Sequence, residues 1–179
     1  MEREFIMCNC NKEPVVLGAM KLYSDVELPQ YAHVGDACFD LRVYISDKDL
    51  ERAKEQGLQV SSEGTNWICL EPGDKFIFHT GLVFDIPQGY KLMVHARSGL
   101  GIKHQITLAN RTGVIDEPYT DETLVCLVNE GKEAFTIQHG DRVAQGSLEK
   151  VEPVVIREVD FVPVKARGTN SGLGSSGVK

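Results

Sequence analysis

The chain has 179 residues, with 19 Lys+Arg against 26 Asp+Glu and a formal net charge of −7. That length suits one ordinary domain with appendages, and that charge excludes a broad basic face for duplex nucleic acid. An apolar fraction of 42% and a charged fraction of 25% exclude wholesale disorder. No apolar run approaches the ~18 residues of a membrane span, so neither nucleic acid nor membrane is expected as a partner. A small anionic ligand stays open, because a few Arg residues and backbone N–H groups suffice to hold one.

The opening MEREFIMCNCNKEP has no basic stretch followed by an apolar one. The expectation is therefore no signal peptide and a cytoplasmic protein (host cytoplasm if the source is viral). Cys8, Cys10, Cys38, Cys69 and Cys126 form an odd, scattered set and read as free thiols. Cys8-Asn9-Cys10 hints at a metal, but no second Cys pair or His cluster completes four ligands. Residues 1–13 read as an N-terminal extension to a β core over 14–161.

Short β segments punctuated by turns dominate that core. Residues 15–22 are apolar enough for a first strand. In 39–45, Phe39, Leu41, Val43 and Ile45 alternate with Asp40, Arg42 and Tyr44, the period of a half-buried strand. Residues 46–66 read as an insertion. Ser46-Asp47-Lys48-Asp49 has capping-box character, 49–56 holds good helix formers, and Gly57 can close the helix. Only Leu50 and Ala53 are apolar in it, which predicts a surface position. Further strands are expected at 67–70, 75–86 with a break at Gly81, 90–96, 106–108, 123–128, 134–138, 142–148 and 154–156. Strands this short at this spacing indicate an all-β sandwich or barrel.

Three stretches carry more polar chemistry than plain strands need. Residues 95–101 end a strand with Arg97, Ser98, Gly99 and Gly101, which suits either anion contact or a simple strand-end turn. Gly113-Val114-Ile115 can enter a hairpin with Asp116 at its mouth, where a carboxylate can take a proton from an attacking water or merely stabilise the turn. Gly140-Asp141-Arg142 opens a strand on which Arg142 and Gln145 face either a ligand or solvent. The tail, 162–179, contains Arg167 and the glycines Gly168, Gly172, Gly174 and Gly177. It reads either as a flexible tail or as an arm whose backbone N–H groups, hydroxyls and Arg167 cradle phosphate.

The order of these stretches carries more than any one of them. Gly35-Asp36-Ala37-Cys38-Phe39-Asp40-Leu41, Arg97-Ser98-Gly99-Leu100, Gly113-Val114-Ile115-Asp116-Glu117-Pro118-Tyr119, Gly140-Asp141-Arg142-Val143-Ala144-Gln145 and the Gly/Ser tail resemble the five ordered motifs of the trimeric deoxyuridine triphosphatase (dUTPase) family. The resemblance implies a jelly-roll-like β-barrel and a homotrimer with active sites shared between subunits. It implies hydrolysis of dUTP to dUMP and pyrophosphate with Mg²⁺ on the triphosphate. That activity keeps uracil out of DNA and supplies dUMP for dTMP synthesis. The C-terminal arm would close over the site.

By the same resemblance, Asp116 is the general base for water attack at the α-phosphorus. Tyr119 packs under the deoxyribose and excludes a 2′-hydroxyl. Asn110 bonds the uracil, and the backbone from Gly113 and Val114 to Tyr119 reads its remaining edge. Arg97, Ser98 and Gly99 contact phosphate, with Ser98 near the α–β bridging oxygen. Gln145 lies near the α-phosphate and its water. Asp40 holds a water of the Mg²⁺ shell. Arg167 meets the γ-phosphate, with Gly174, Ser175 and Ser176 as further phosphate contacts. Leu173 stands where the arm usually has a uracil-stacking Phe, so the apolar cover stays and the π face is lost, which implies weaker arm closure. Pro118, Thr120 and Asp121 replace the family's usual Asp, Arg and Gly. Two other readings compete. A dCTP deaminase of the same fold needs a glutamate where the register puts Cys126. A non-catalytic nucleotide-binding or regulatory protein would have no need of Asp116, Asp40, Ser98 and Tyr119 together.

Overall fold

The computed structural model describes residues 13–160. Cys8, Cys10 and the tail positions Arg167, Leu173, Gly174, Ser175 and Ser176 lie outside the described residues. In chain order the elements are β1 (Gly18–Lys21), β2 (Phe39–Arg42), α1 (Asp47–Glu55), β3 (Val60–Ser61), β4 (Trp67–Leu70), β5 (Lys75–His79), β6 (Leu82–Asp85), β7 (Tyr90–Ala96), α2 (Ser98–His104), β8 (Ile106–Leu108), β9 (Thr112–Asp116), β10 (Leu124–Asn129), β11 (Phe135–Gln138) and β12 (Arg142–Lys150).

The strands form antiparallel sheets in the orders β2-β12-β7-β9, β5-β10-β8, β11-β4-β3 and β1-β6. The all-β expectation holds. A closed barrel does not form, because the hydrogen-bond ladder breaks where the chain changes sheets. Gly81 marks one such break: β5 pairs with β10, whereas β6, just past the glycine, pairs with β1. Its φ of +68° is left-handed, a conformation glycine adopts without steric cost. The sheets bury their inner faces against one another, with alternation setting the direction. In β5, Phe76 and Phe78 point inward while Lys75 and Ile77 point out. Leu41, Ile68, Leu70, Leu92 and Ile137 are wholly buried. Each such side chain contributes roughly 1.5–3 kcal/mol by leaving water.

The helix of the insertion forms as its cap predicts. The Ser46 hydroxyl accepts from the Asp49 N–H at 3.3 Å, and the Asp49 carboxylate accepts from the Ser46 N–H at 2.9 Å. Gly57, with φ +83°, follows the last turn. Leu50 and Ala53 are buried and join the core, so α1 lies on the outside but is docked by its narrow apolar stripe. The two-residue β3 was too short to announce itself.

Two elements differ from expectation. Residues 98–104 form α2 rather than a turn; Gly99 and Gly101 argue against a helix by propensity, but β7 and β8 fix both its ends. It stops at Gln105, which is left-handed with φ 56°. The segment 154–156 forms no strand. Val154, Val155 and Ile156 are 81%, 80% and 94% exposed, and among the described residues no strand runs beside them. A β-prone sequence without a ladder partner stays unpaired.

Candidate active site

The candidate residues fall into two groups on one sheet. The first lies where β2, β12 and β7 run side by side. Asp40 on β2 is level with Gln145 on β12, which is level with His95 on β7. Arg97 follows β7 and caps α2, so Ser98 and Gly99 occupy the exposed first turn. Asp40 is held at both oxygens: Arg97 Nε sits 2.9 Å from Oδ1, and Arg142 Nη1 sits 3.0 Å from Oδ2. Arg97 also donates to the Arg142 carbonyl at 2.8 Å, and the Gln145 amide donates to the Ala96 carbonyl at 3.1 Å. One carboxylate thus fixes two guanidinium groups beside an exposed hydroxyl, an arrangement suited to a polyanion. The register shift between Arg142 and Ala144 is the bulge beside which Arg142 reaches Asp40. Arg142 was open in the sequence between ligand and solvent; its role as an anchor for Asp40 was missed, since the two are 102 residues apart.

The second group surrounds a cleft of about 360 Å³, lined among others by Asn110, Gly113, Val114, Asp116, Tyr119 and Cys126. Asp116 ends β9 and is exposed at the mouth of the turn, where its carbonyl accepts from the Tyr119 N–H at 3.0 Å. The Tyr119 hydroxyl donates to the Glu122 carbonyl at 3.0 Å, holding the ring over the hairpin. Gly113 is needed for space: a Cβ there would come within 3.0 Å of Val94 Cβ. Asn110 precedes the left-handed Arg111, and Arg111 forks onto Glu130. The guanidinium holds the Glu130 carboxyl below the usual carboxylate range, and the hydrogen bond to Glu130 raises Arg111 in turn. Cys126 lies half-buried on β10, and burial pushes its thiol up against the weaker opposing effect of Lys75. A neutral thiol is a poor proton shuttle.

Thr123 lies beside this cleft with its hydroxyl buried and without a hydrogen-bond partner among the described residues. An unmet buried donor costs about 1–3 kcal/mol. Thr123→Val should therefore raise the melting temperature, by about 2–4 °C if ~1 kcal/mol is recovered. Calorimetry checks it, and a fall would mean the hydroxyl finds a partner in the assembled protein.

The structure gathers Asp40, Arg97, Ser98, Gly99 and Gln145 where β2, β12 and β7 meet, and sets Asn110, Gly113, Val114, Asp116 and Tyr119 along the cleft beside β9. Gly113 is level with Val94, next to the His95–Gln145 row, but Asp116 stands apart from Arg97 and Gln145. Asp116 is level with Lys91 at the start of β7, whereas Gln145 is level with His95 near its end and Arg97 follows. Six residues of strand separate Lys91 from Arg97, about 20 Å at ~3.3 Å per residue.

Comparison with known proteins finds relatives along most of the chain. The dUTPase family matches residues 44–177, which takes in the last four motifs and leaves Asp40 just before the matched stretch. A deoxyuridine 5'-triphosphate nucleotidohydrolase of Caulobacter vibrioides is 36% identical over 155 residues, 87% of this chain and 88% of the relative. Its counterpart in Fusobacterium nucleatum is 36% identical over 152 residues, 85% of this chain and 90% of the relative. Among solved structures, the Staphylococcus bacteriophage 80alpha dUTPase with dUPNHPP aligns with a TM-score of 0.73 at 22% identity, covering 91% of this chain and 99% of that one. A phage phi11 dUTPase variant, described with a structural Mg(II) ion, aligns with a TM-score of 0.65 at 18% identity, covering 82% and 98%. These likenesses fix the jelly-roll-like fold, and from the relatives and the family match over 44–177 it follows that the chain belongs to the dUTPase family.

Proposed function

We propose that this chain hydrolyses dUTP to dUMP and pyrophosphate at a site completed by a second copy of itself. The observation that carries the reading is the pairing of an exposed carboxylate, Asp116, with a nucleoside-sized cleft that contains Tyr119 and Asn110. Asp116 would orient and deprotonate a water for attack at the α-phosphorus. Tyr119 would lie under the deoxyribose, and Asn110 with the Gly113 and Val114 backbone would meet the uracil. Arg97, Ser98 and Gln145 would stabilise charge on the phosphates and on departing pyrophosphate.

The ~20 Å between Asp116 and Arg97 supports a shared site, because base and phosphate donors must meet at one phosphorus within hydrogen-bond reach. Exposed apolar residues around the cleft, such as Val114 and Leu124, and the exposed apolar segment 154–156 support contact between copies. The family resemblance makes that assembly a trimer, with Arg167, Leu173, Gly174, Ser175 and Ser176 of the arm closing each site.

Among the described residues no group of three His, Cys, Asp or Glu side chains gathers to hold a metal. Such a sparse donor set fits Mg²⁺ only as a cation that arrives on the triphosphate and keeps its waters. Asp40 retains lone pairs beyond its two arginine bonds and would accept from one of those waters. Bound there, Mg²⁺ would neutralise charge on the triphosphate.

The test is product chromatography after incubation with Mg²⁺ and, separately, dUTP, dCTP, dTTP and UTP. Formation of dUMP and pyrophosphate from dUTP alone is expected, with Asp116→Asn slowing it by about 10²–10⁴. Uracil nucleotides formed from dCTP would instead assign the deaminase reading. No turnover at all would leave a nucleotide-binding protein.

A further inference from the structure

The helix of the insertion touches the substrate hairpin through a chain of polar contacts that the reaction itself does not use. Asp49, 4% exposed, accepts from Arg52 Nη2 at 2.9 Å. Arg52 is itself fixed, donating to the Ile77 carbonyl at 2.6 Å and lying over the Phe76 ring. His79 Nε2 lies 3.5 Å from Asp49 Oδ1, and its other ring nitrogen lies 2.6 Å from Glu122 Oε2. Since Glu122 is the partner there, Nδ1 is the donor. The second Glu122 oxygen accepts from the Gly81 N–H at 2.7 Å. Both carboxylate oxygens are therefore held, and the Glu122 backbone is fixed with them. Its carbonyl is the acceptor for the Tyr119 hydroxyl. Glu122 has only 16% of its side chain exposed, so these bonds are poorly replaced by water.

We infer that Glu122, held by His79 and Gly81 and backed by Asp49 of α1, is a positioning residue that sets the Tyr119 ring and thereby the discrimination between deoxyribo- and ribonucleotides. The inference rests on the dUTP reading, because it acts through the ring proposed to lie under the sugar. Tyr119 stands on an exposed turn after Asp116, with residues 117–121 all exposed. Apart from the Tyr119 N–H bond to Asp116 and a long contact from the Gly89 N–H to Glu117, the turn's polar tie among the described residues runs through Glu122. A ring so placed drifts when its anchor is cut. The insertion then acts as a strut behind the sugar pocket.

The test uses the full chain and compares kcat/KM for dUTP and UTP, with amide hydrogen exchange over 117–121 measured without nucleotide. In Glu122→Ala, exchange in the hairpin should rise. The dUTP/UTP ratio should fall about tenfold, out of the roughly hundredfold that steric exclusion of a hydroxyl supplies, chiefly through KM for dUTP. Glu122→Gln should recover most of the ratio, because its amide oxygen still accepts from Gly81. His79→Phe keeps the ring volume but loses the donor, and should lie between them. In a Tyr119→Phe background, Glu122→Ala should lower the ratio no further. If Glu122→Ala does not fold, Glu122→Gln and His79→Phe decide. An unchanged ratio, an equal drop on top of Tyr119→Phe, or unchanged hairpin exchange overturns the positioning role. A wild type inert toward dUTP overturns the hydrolase reading and this role with it, whereas an active wild type with an unmoved ratio overturns only the role.

Discussion

Chains carrying Asp116→Asn, co-refolded in equal amount with chains carrying Ser98→Ala, should regain dUTP turnover that neither variant has alone. The prediction follows from the placement of the two residues. Asp116 lies level with Lys91, the second residue of β7, and Ser98 lies just beyond its last. The ~20 Å between them is too far for one phosphorus to meet both in a single chain. Loss of the base costs about 10²–10⁴ in rate, and loss of a donor on the leaving group about 10²–10³, so each homo-oligomer is nearly silent. In a random mixture, a site that takes Asp116 from one chain and Ser98 from another is intact about one time in four. Recovery to roughly a quarter of wild-type turnover is expected. If both residues served a site within one chain, every site would keep a lesion and mixing would restore nothing. Steady-state dUTP turnover decides between these results. The quarter holds for any assembly with the residues on different chains, so light scattering is the measurement that counts the subunits.

The same separation shows what the sequence could and could not convey. The motifs were legible because each is local: Asp116 and Tyr119 share a turn, and Arg97 and Ser98 share a helix start. The strands were legible because alternation is local too, as in Phe76 and Phe78 against Lys75 and Ile77. What failed was information held elsewhere in the chain. Residues 154–156 have strand composition but no strand partner among the described residues, and composition carries no record of a partner. The α2 helix contains two glycines, so its propensity argued for a turn, whereas the flanking strands impose its ends. Asp40 was read as a metal-shell acid from its motif. Its bonds to Arg97 and Arg142 depend on pairings 57 and 102 residues away. The Glu122–His79 contact spans 43 residues and left no mark in either segment. Sheet closure depended on the long-range course of the ladder in the same way.

Gly81→Ala should destabilise the protein by about 2–5 kcal/mol, a large effect for a single turn residue. Two independent causes add here. The backbone at Gly81 has φ +68°, and holding an L-residue in the left-handed region costs roughly 1–2 kcal/mol. A Cβ would also sit well inside contact distance of Val26 Cγ2, and Val26 is itself buried. Overpacking of that kind costs about 1–3 kcal/mol. Against a typical total of about 5–15 kcal/mol the loss is large, and the melting temperature should fall by roughly 5–15 °C. Gly73→Ala is the control that separates the causes. Gly73 has φ +91° but nothing within 4 Å of a built Cβ, so only the backbone part applies there. Val26→Ala in the Gly81→Ala background should restore the steric part and leave the backbone part, giving a favourable coupling of about 1–3 kcal/mol in a double-mutant cycle. Denaturant titration of the four chains measures it. Zero coupling would place the whole loss in the backbone. Because the Gly81 N–H also donates to Glu122, a shift at this turn moves the anchor of the Tyr119 hairpin, so the same substitution should raise KM for dUTP in the fraction that remains folded.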